Sequence, residues 1–373
     1  MNKALKLLRW LLVFVIVTAC VEPISFNTPP PVDVILIDGM ITNEPGPYVV
    51  KISRGRSIDA DTTNHFPVEG LSVTLHEDTG SQEEFAEWRP GEYRTGGVIR
   101  GVVGHSYHIT VRMPDGTVLQ SEPEKILPGG EIRNARHEFA TRLETKDFAV
   151  VESNYFNIFI DSKANVESAG SSYVRWKLTG TYKIDTSPHL HVTFLQVKPY
   201  KTPYPCSGYV VEPALQGGRL VQRAPCTCCT CWVRLYETKP QLSDTELVQD
   251  GEFRNVKVGE VPINPETFHD KFLAEILQMP ISKAAFDFFK VIRIQKESGN
   301  NLFQPPSGKL IGNIRSEGTA YQVVGLFWAT SVTRNSFYLT RDDVPYNIVP
   351  MDVVPEPCLS YANSTTTKPV NWE

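Results

Sequence analysis

The run Leu71-Ser72-Val73-Thr74-Leu75 alternates apolar and polar side chains, which is the period of a β-strand with one buried face. The same alternation occurs in Tyr107-His108-Ile109-Thr110-Val111. Between and after these runs lie Gly91-Glu92-Tyr93-Arg94, the turn Pro114-Asp115-Gly116 and the run Thr117-Val118-Leu119. Short alternating runs that recur between turn residues predict a β-sandwich.

The glycines and apolar residues of this stretch also resemble a known arrangement. They are similar to the immunoglobulin-like domains related to transthyretin and to carboxypeptidase regulatory modules. The matching positions are Val68, Gly70, Val73, Leu75, Gly91, Tyr93, Gly104, Tyr107, Ile109 and Val111. The resemblance implies an immunoglobulin-like β-sandwich. We expect this N-terminal domain to occupy residues 34–128.

A second β-rich domain is expected over residues 129–345. Runs such as 157–160 and 173–178 are rich in β-branched and aromatic residues, which favours strands. The tail, residues 346–373, is rich in Pro and Thr, and we expect it to be extended. The chain is therefore predicted to be mainly β, with two domains.

One stretch of the second domain has the period of a helix. Ser282 can cap a helix near residues 282–298, on which Ala285, Phe289 and Ile292 share one face. We expect this apolar face to pack on a sheet. Insertion into a membrane or into the groove of a partner is the alternative.

The first 33 residues have the pattern of an export signal with a lipid attachment site. Three basic residues precede an apolar run, Trp10 to Val17, that is too short to span a membrane. The run ends in Val17-Thr18-Ala19-Cys20, which resembles the bacterial lipobox. The resemblance implies a signal peptide at 1–19 and a lipidated Cys20 followed by a Pro-rich tether, residues 20–33. An ordinary secretory signal with a cysteine by chance is the alternative.

The net charge and the predicted lipid anchor limit the kinds of partner that the protein can have. Residues 1–19 carry three positive charges and no negative ones, so their removal changes the net charge from −5 to −8. Such a chain lacks the basic footprint that nucleic acid requires. Val21 follows Cys20, where inner-membrane lipoproteins commonly carry Asp. This analogy predicts lipid anchoring in the outer membrane and leaves the membrane face open.

Six cysteines remain after Cys20, and an even number in an exported protein predicts disulfides. They are Cys206, Cys226, Cys228, Cys229, Cys231 and Cys358, five of them in the Cys-rich segment 206–231. We expect the dense cluster to be tied to Cys206 and Cys358, although six cysteines allow 15 pairings. The alternative is a thiolate metal site made of Cys226, Cys228, Cys229 and Cys231, since soft ligands hold Zn²⁺ or Cu(I).

Motifs of catalysis are missing from the sequence. It has no H-E-x-x-H, no G-x-S-x-G, no P-loop and no G-x-G-x-x-G. The acidic residues Glu83, Glu84 and Glu87 precede Trp88 in a stretch that we interpret as a solvated loop. We therefore predict a protein that is not an enzyme, with no cofactor and no catalytic residue.

Longer motifs resemble a family of Bacteroidetes lipoproteins, the domain of unknown function 4249. The first motif runs from Val34 through Asp38-Gly39 to Val50, and the second is the stretch that ends in Cys231-Trp232. The helix, the segment Asn301 to Ile314 and the segment Val324 to Asp343 follow in order. The resemblance implies an outer-membrane lipoprotein that is often encoded beside a TonB-dependent receptor. It implies no particular substrate.

Three hypotheses for the function follow. The favoured one is a non-catalytic accessory or ligand-binding subunit of a TonB-dependent receptor in nutrient uptake, with a small-molecule or peptide ligand not defined by the sequence. The second is a surface scaffold or adhesin-like lipoprotein without a small ligand. The third is a hydrolase with a site that no motif reveals. A concave pocket with convergent polar groups would favour binding or catalysis, and a flat apolar patch would favour a scaffold.

Overall fold

The computed structural model describes residues 34–55, 66–146, 149–165, 173–195, 198–213, 218–243, 251–298, 310–316 and 321–373. Within these ranges the chain forms 24 β-strands and one α-helix. The predicted mainly β fold is confirmed. Four short 3₁₀-helices connect the strands, at Pro188–Leu190, Pro205–Ser207, Arg341–Asp343 and Cys358–Ser360.

The strands are numbered along the chain. The first nine are β1 (Val34–Thr42), β2 (Val49–Gly55), β3 (Phe66–Pro67), β4 (Ser72–Glu77), β5 (Gln82–Arg89), β6 (Glu92–Arg94), β7 (Ser106–Arg112), β8 (Val118–Ser121) and β9 (Glu124–Lys125). The next nine are β10 (Glu131–Lys146), β11 (Ala149–Lys163), β12 (Val174–Asp185), β13 (Val192–Leu195), β14 (Lys198–Lys201), β15 (Tyr209–Glu212), β16 (Arg219–Gln222), β17 (Thr230–Leu235) and β18 (Gln241–Leu242). The remaining elements are β19 (Glu252–Ile263), β20 (Phe272–Pro280), α1 (Lys283–Ser298), β21 (Ile314–Ser316), β22 (Gln322–Thr330), β23 (Thr333–Leu339) and β24 (Ser364–Thr365).

The first unit is an eleven-stranded sheet in the order β21-β8-β7-β4-β5-β6-β2-β1-β22, with β3 beside β2 and β9 beside β7. Both halves of the sheet contribute to one apolar core, which includes Ile37 and Ile52 from one half and Leu75 and Ile109 from the other. The inward residues are those that the alternation predicts. A sandwich-like unit thus arises from one sheet whose halves are joined through β5 and β6.

The first unit takes two strands from far along the chain. β22 runs parallel to β1 over its whole length, from the pair Val34 and Gln322 to the pair Thr42 and Thr330. β21 pairs with β8 in the same sheet. The sheet therefore includes residues beyond position 128, where the sequence placed the end of the N-terminal domain.

The second unit combines a six-stranded sheet with a three-stranded sheet. The larger sheet has the order β23-β20-β12-β17-β24, with β18 beside β12, and the smaller has the order β10-β11-β19. Their facing side chains form a second core around Trp176, whose ring meets Phe253 edge to face at 5.0 Å. The Trp176 indole N–H donates to Gln278 Oε1 at 3.2 Å, so this buried polar atom is satisfied.

The helix α1 lies in the predicted range and packs between the two units. The backbone N–H of Ala285 donates to Ser282 Oγ at 3.1 Å, which is the capping contact that the sequence indicated. The apolar face of α1 forms a third core with side chains of both units. Phe289, for example, meets Trp328 of β22 edge to face at 5.2 Å. The face expected to pack on one sheet therefore packs between two.

A crossing segment, residues 330–333, binds both units to each other. The hydroxyl of Thr330 donates to the carbonyl oxygen of Pro280 at 2.7 Å, and that of Ser331 donates to the carbonyl oxygen of Leu127 at 2.7 Å. The backbone N–H of Val332 donates to Asn43 Oδ1 at 2.9 Å. These bonds, one buried and two partly buried, fix how the facing surfaces of the two units are oriented.

The tail, residues 346–373, is docked on the second unit. β24 pairs with β17, and Cys358 is completely buried. Trp372 is also buried and meets the ring of Tyr338 edge to face at 5.9 Å. The segment expected to be merely extended is therefore part of the packed structure.

The acidic stretch before Trp88 is a strand rather than the solvated loop that we predicted. Glu83 lies on the buried face of β5. Its carboxylate accepts backbone N–H bonds from Gly97, Val98 and Ile99 at 2.8, 3.1 and 2.6 Å. This carboxylate satisfies the backbone N–H donors of a turn, so the interpretation of Glu83 as part of a solvated loop was wrong.

A second buried carboxylate, that of Glu124, lies where α1 meets the first unit. Its Oε1 accepts from Ser282 Oγ at 3.0 Å and from Asn313 Nδ2 at 3.5 Å. Burial raises the pKa of Glu124 to about 7, against the smaller lowering effect of these two donors. Between pH 4.5 and 7 the folded state thus holds a proton that the unfolded chain releases.

The stability should therefore fall as the pH rises through this window and level off above about pH 7. Glu124 accounts for about 3 kcal/mol of that fall. In Glu124→Gln we expect this part of the pH dependence to disappear, so the variant gains on the wild type between pH 5 and pH 8. Urea unfolding at both pH values measures it, with the exposed neighbour Glu122→Gln as control. An unchanged pH slope in Glu124→Gln would contradict the assignment.

Candidate functional site

A cleft of about 550 Å³ lies between the two units. β1 and β2 line it on the side of the first unit, and β12, β17 and β20 line it on the side of the second. Phe289 of α1 and Trp328 of β22 also line it. Its charged lining residues are Asp38, Glu44, Lys51, Arg175, Lys177, Arg234 and Arg334. The volume is in the range of small-ligand sites.

Strand alternation explains why charged side chains reach this cleft. On β1, Ile37 points into the first core, so Asp38 points to the opposite face. On β12, Trp176 points into the second core, so Arg175 and Lys177 point away from it. The outer faces of two sheets thus meet, and polar residues that would otherwise face water line a cavity.

Four of the five cations that line the cleft have carboxylate partners. Arg334 binds Glu44 through two parallel bonds of 2.6 Å, the strongest geometry for such a pair. Arg175 pairs with Glu237, which lies on a loop of the second unit. The other two pairs are Arg234 with Glu275 at 3.4 Å and Lys51 with Glu92 at 2.8 Å.

Two opposite charges in the cleft have no such partner. Lys177 and Asp38 make no hydrogen bond or ion pair with any residue that the structure describes, and they do not pair with each other. The nearest aromatic group to the ammonium is Tyr236, whose ring centre is 6.0 Å from Lys177 Nζ. The Asp38 side chain is accessible from the cavity even though much of the protein surrounds it.

Burial and neighbouring charges shift the pKa values of both Asp38 and Lys177. Burial raises the pKa of Asp38, against the lowering effects of Arg175, Lys51 and Lys177. Burial also lowers the pKa of Lys177, and the nearby Arg175 lowers it further. Both directions mean that the charged form is held with less water than it has in solution. A counter-charge brought by a ligand would act against this effect of burial at both groups.

One family profile covers all the residues that line the cleft. Residues 21–336 match the profile of a family described as a domain of unknown function, DUF4249. The chain belongs to this family. A comparison with curated proteins found no match. The DUF4249 match ends inside β23, so the whole docked tail, residues 346–373, lies beyond it.

All six cysteines of the DUF4249 chain that the structure describes form disulfides. The bonds join Cys206 to Cys228, Cys226 to Cys229 and Cys231 to Cys358. The cluster is thus tied to Cys206 and Cys358, as expected. The weaker alternative, a metal site at Cys226, Cys228, Cys229 and Cys231, has no thiolate in this arrangement, because each sulfur is bonded to another. Across the described ranges no group of three or more His, Cys, Asp or Glu side chains could hold a metal ion.

A small lobe, defined here as the described residues of 188–229 and called the stapled lobe, has two of these disulfides in its second half. It carries the hairpins β13–β14 and β15–β16. Gly208 joins them with φ 74°, and a Cβ atom there would lie 2.0 Å from the carbonyl oxygen of Ala224. Six large apolar side chains of the lobe are exposed, namely Leu190, Val192, Phe194, Tyr200, Val210 and Val211.

The lipid attachment site predicted at Cys20 lies outside the described residues, with the signal peptide and the tether. In the part of the chain that the structure covers, no helix is long and apolar enough to cross a membrane.

The charged pair in the cleft was not identified as a site from the sequence. Asp38 stood in a family motif and Lys177 in a predicted strand, but neither was assigned a role. On β12 the signal is the alternation of Arg175 and Lys177, and on β1 it is a single charged residue, Asp38, on the face opposite the core. Both patterns also mark a face open to water. Only the packing of one outer face on another distinguishes the two cases.

Proposed function

We propose that this protein is a non-catalytic, ligand-binding accessory subunit at the outer membrane that works with a TonB-dependent receptor. The observation that carries the proposal is the cleft, where Asp38 and Lys177 present unpaired opposite charges. A partly dehydrated charge without a partner raises the free energy of the folded protein. Binding a complementary ligand would remove that penalty, as is common for functional sites that reduce stability.

The proposed location at the outer membrane is supported by the sequence. The run that ends in Cys20 supports a lipid anchor, and several acyl chains hold a protein on a membrane stably. The resemblance to Bacteroidetes lipoproteins supports a receptor of the TonB-dependent class as partner. Anchoring would confine both partners to one surface and raise their effective concentration, so a modest interface suffices.

Replacing Cys20 by Ser should release the protein from the membrane. The change removes the sulfur that would carry the lipid, and the described residues contain no helix that could span a bilayer. We expect the variant in the soluble fraction after ultracentrifugation, whereas the wild type sediments with outer membranes and resists extraction by high salt. Sedimentation of both proteins alike would show that the attachment is elsewhere.

The stapled lobe is the surface that we propose for the receptor. Its exposed apolar side chains include Phe194 and Tyr200, which are 69% and 50% exposed. The disulfides restrict the second half of the lobe, and two contacts tie the first half to it. The ring of His189 stacks on that of Tyr209 at 4.7 Å, and Lys201 Nζ donates to the carbonyl oxygen of Gly218 at 3.0 Å, so little conformational entropy is lost when the lobe docks. Large exposed aromatic groups on a preorganised loop are typical of interface anchors.

The receptor contact can be tested by affinity purification from native membranes, with a tag after Glu373. We expect a large β-barrel receptor to co-purify with the wild type and to be lost with Phe194→Ser/Tyr200→Ser. A matched control is Leu143→Ser/Val150→Ser, because these two residues are also highly exposed but lie on the β10–β11 hairpin. Recovery of the wild type alone would discard the receptor and favour a free-standing scaffold.

Ligand binding is tested separately by native mass spectrometry of protein purified from its own membranes. We expect a fraction with added small-ligand mass, and its loss in the double variant Asp38→Asn/Lys177→Met. A wild type found only at the mass of the lipidated polypeptide, with nothing further bound, would contradict a ligand-binding cleft.

A further inference from the structure

The cleft holds its unpaired charges on opposite walls. Asp38 lies on β1 of the first unit and Lys177 on β12 of the second. Both residues line the same cavity and form no ion pair with each other, so each can receive a charged group of a ligand. We propose that the cleft binds a zwitterion of the amino-acid or short-peptide class, with its ammonium on Asp38 and its carboxylate on Lys177. This assignment rests on the proposed ligand-binding function and specifies its substrate class.

The charges of the cleft distinguish a zwitterion from the other classes of ligand. The other four cations of the cleft are already neutralised by carboxylates. A dianion would therefore satisfy Lys177 and repel Asp38. The hydroxyls of a neutral sugar could form hydrogen bonds with both groups, but they would supply no counter-charge to either. A ligand with one charge of each sign satisfies both.

The residues around Asp38 and Lys177 also indicate which kinds of ammonium and acidic group the zwitterion carries. A quaternary ammonium is usually held by a cage of exposed aromatic faces. Here Trp328 is buried, and the guanidinium of Arg175 already lies 4.2 Å from the ring centre of Phe289. A primary ammonium that donates hydrogen bonds fits a free carboxylate such as Asp38 better. Phosphate is recognised best by bidentate arginines, and the bidentate arginine of this cleft, Arg334, is occupied by Glu44.

The rest of the lining fits the uncharged part of such a ligand. Met40, Leu277 and Val332 contribute apolar surface to the cleft. A volume of about 550 Å³ admits more than the two charged ends alone. The mixture of two charged anchors with aliphatic surface is therefore suited to peptides with apolar side chains.

The test is affinity selection with a synthetic pool of tripeptides of mixed sequence. Protein with retained peptide is separated by gel filtration and the peptides are identified by mass spectrometry. Two further pools carry an acetylated N-terminus or an amidated C-terminus. We expect the wild type to retain peptides with free termini at least tenfold better than either blocked pool.

The variants assign each terminus to its residue. Asp38→Asn should lose the preference for a free N-terminus and keep that for a free C-terminus, and Lys177→Met should do the reverse. Lys283→Met is the matched control, because this lysine lies on α1 with its own partner, Asp287, and should retain the wild-type pattern. Both cleft variants should melt at or above the wild-type temperature, since each removes an unpaired charge.

Two outcomes would overturn the assignment and are distinguishable. If maltooligosaccharides or dicarboxylates are retained instead of peptides, and the cleft variants abolish that retention, the ligand class is wrong while the binding function stands. If no pool is retained and native mass spectrometry shows only the lipidated polypeptide with nothing bound, both the ligand class and the proposed function fail.

Discussion

Replacing Cys231 and Cys358 together by Ala is expected to lower the free energy of unfolding by about 5 kcal/mol. Their disulfide closes the longest loop of the three, with 127 residues of sequence separation. Restricting so long a loop removes much entropy from the unfolded chain. Both residues are completely buried, so the truncated side chains also lose packing contacts. The loss should appear as a lower midpoint in urea unfolding at pH 7.

The chain contains a matched control for this effect. Cys226 and Cys229 are only three residues apart, so the same entropic reasoning gives about 2 kcal/mol for their double Ala variant. Loss of the long bridge should also free the tail, which is seen as faster proteolysis near Trp372. Equal destabilisation by both variants would mean that loop length is not the source of the effect.

Local patterns were sufficient to predict several elements of this fold. The run at 71–75 overlaps β4, the run at 107–111 lies in β7, and the capped apolar stretch after Ser282 is α1. Each depends on neighbouring residues only, through strand alternation or helical period. The predicted disulfides followed from composition and an exported context, which also require no knowledge of the tertiary structure.

The pairing of distant strands could not be predicted in this way. β1 and β22 are separated by almost the whole chain, and the sequence of neither strand indicates which strand it pairs with. Gly325 illustrates the reason. Its φ of 150° and its close approach to Ile37 belong to the parallel pairing, since a Cβ atom there would lie 1.9 Å from the Ile37 carbonyl oxygen. From the sequence alone, this glycine reads only as a weak position in a strand.

The same long-range pairing determines the cleft. Because β22 belongs to the first unit and β23 to the second, the crossing segment between them places the two walls opposite each other. Its hydrogen bonds to Leu127, Asn43 and Pro280 keep that arrangement in the absence of ligand. A site held in this way loses little entropy on binding, which favours affinity from a few well-placed charges.

Arg175 is the residue of this wall whose removal should have the second large effect. Its ion pair with Glu237 is nearly buried, with side-chain exposures of 12% and 13%. Replacing one member of such a pair leaves an uncompensated charge, and Arg175→Met should lower the free energy of unfolding by about 3–5 kcal/mol at pH 7. Urea unfolding of the wild type and the variant measures the difference.

The pH dependence of this destabilisation tests whether the Glu237 carboxylate, left without its partner, is the cause. Burial raises the pKa of Glu237, and Arg175 is the first of the groups that oppose this, so its removal should raise that pKa further. The destabilisation should then shrink as the pH falls towards 4.5, where Glu237 is protonated in the folded state and the unfolded chain also begins to bind the proton. The double variant Arg175→Met/Glu237→Leu should return close to wild-type stability, because neither charge remains buried. If the double variant is as unstable as Arg175→Met at every pH, the contribution of Arg175 comes from its packing on Phe289 and Trp328 instead.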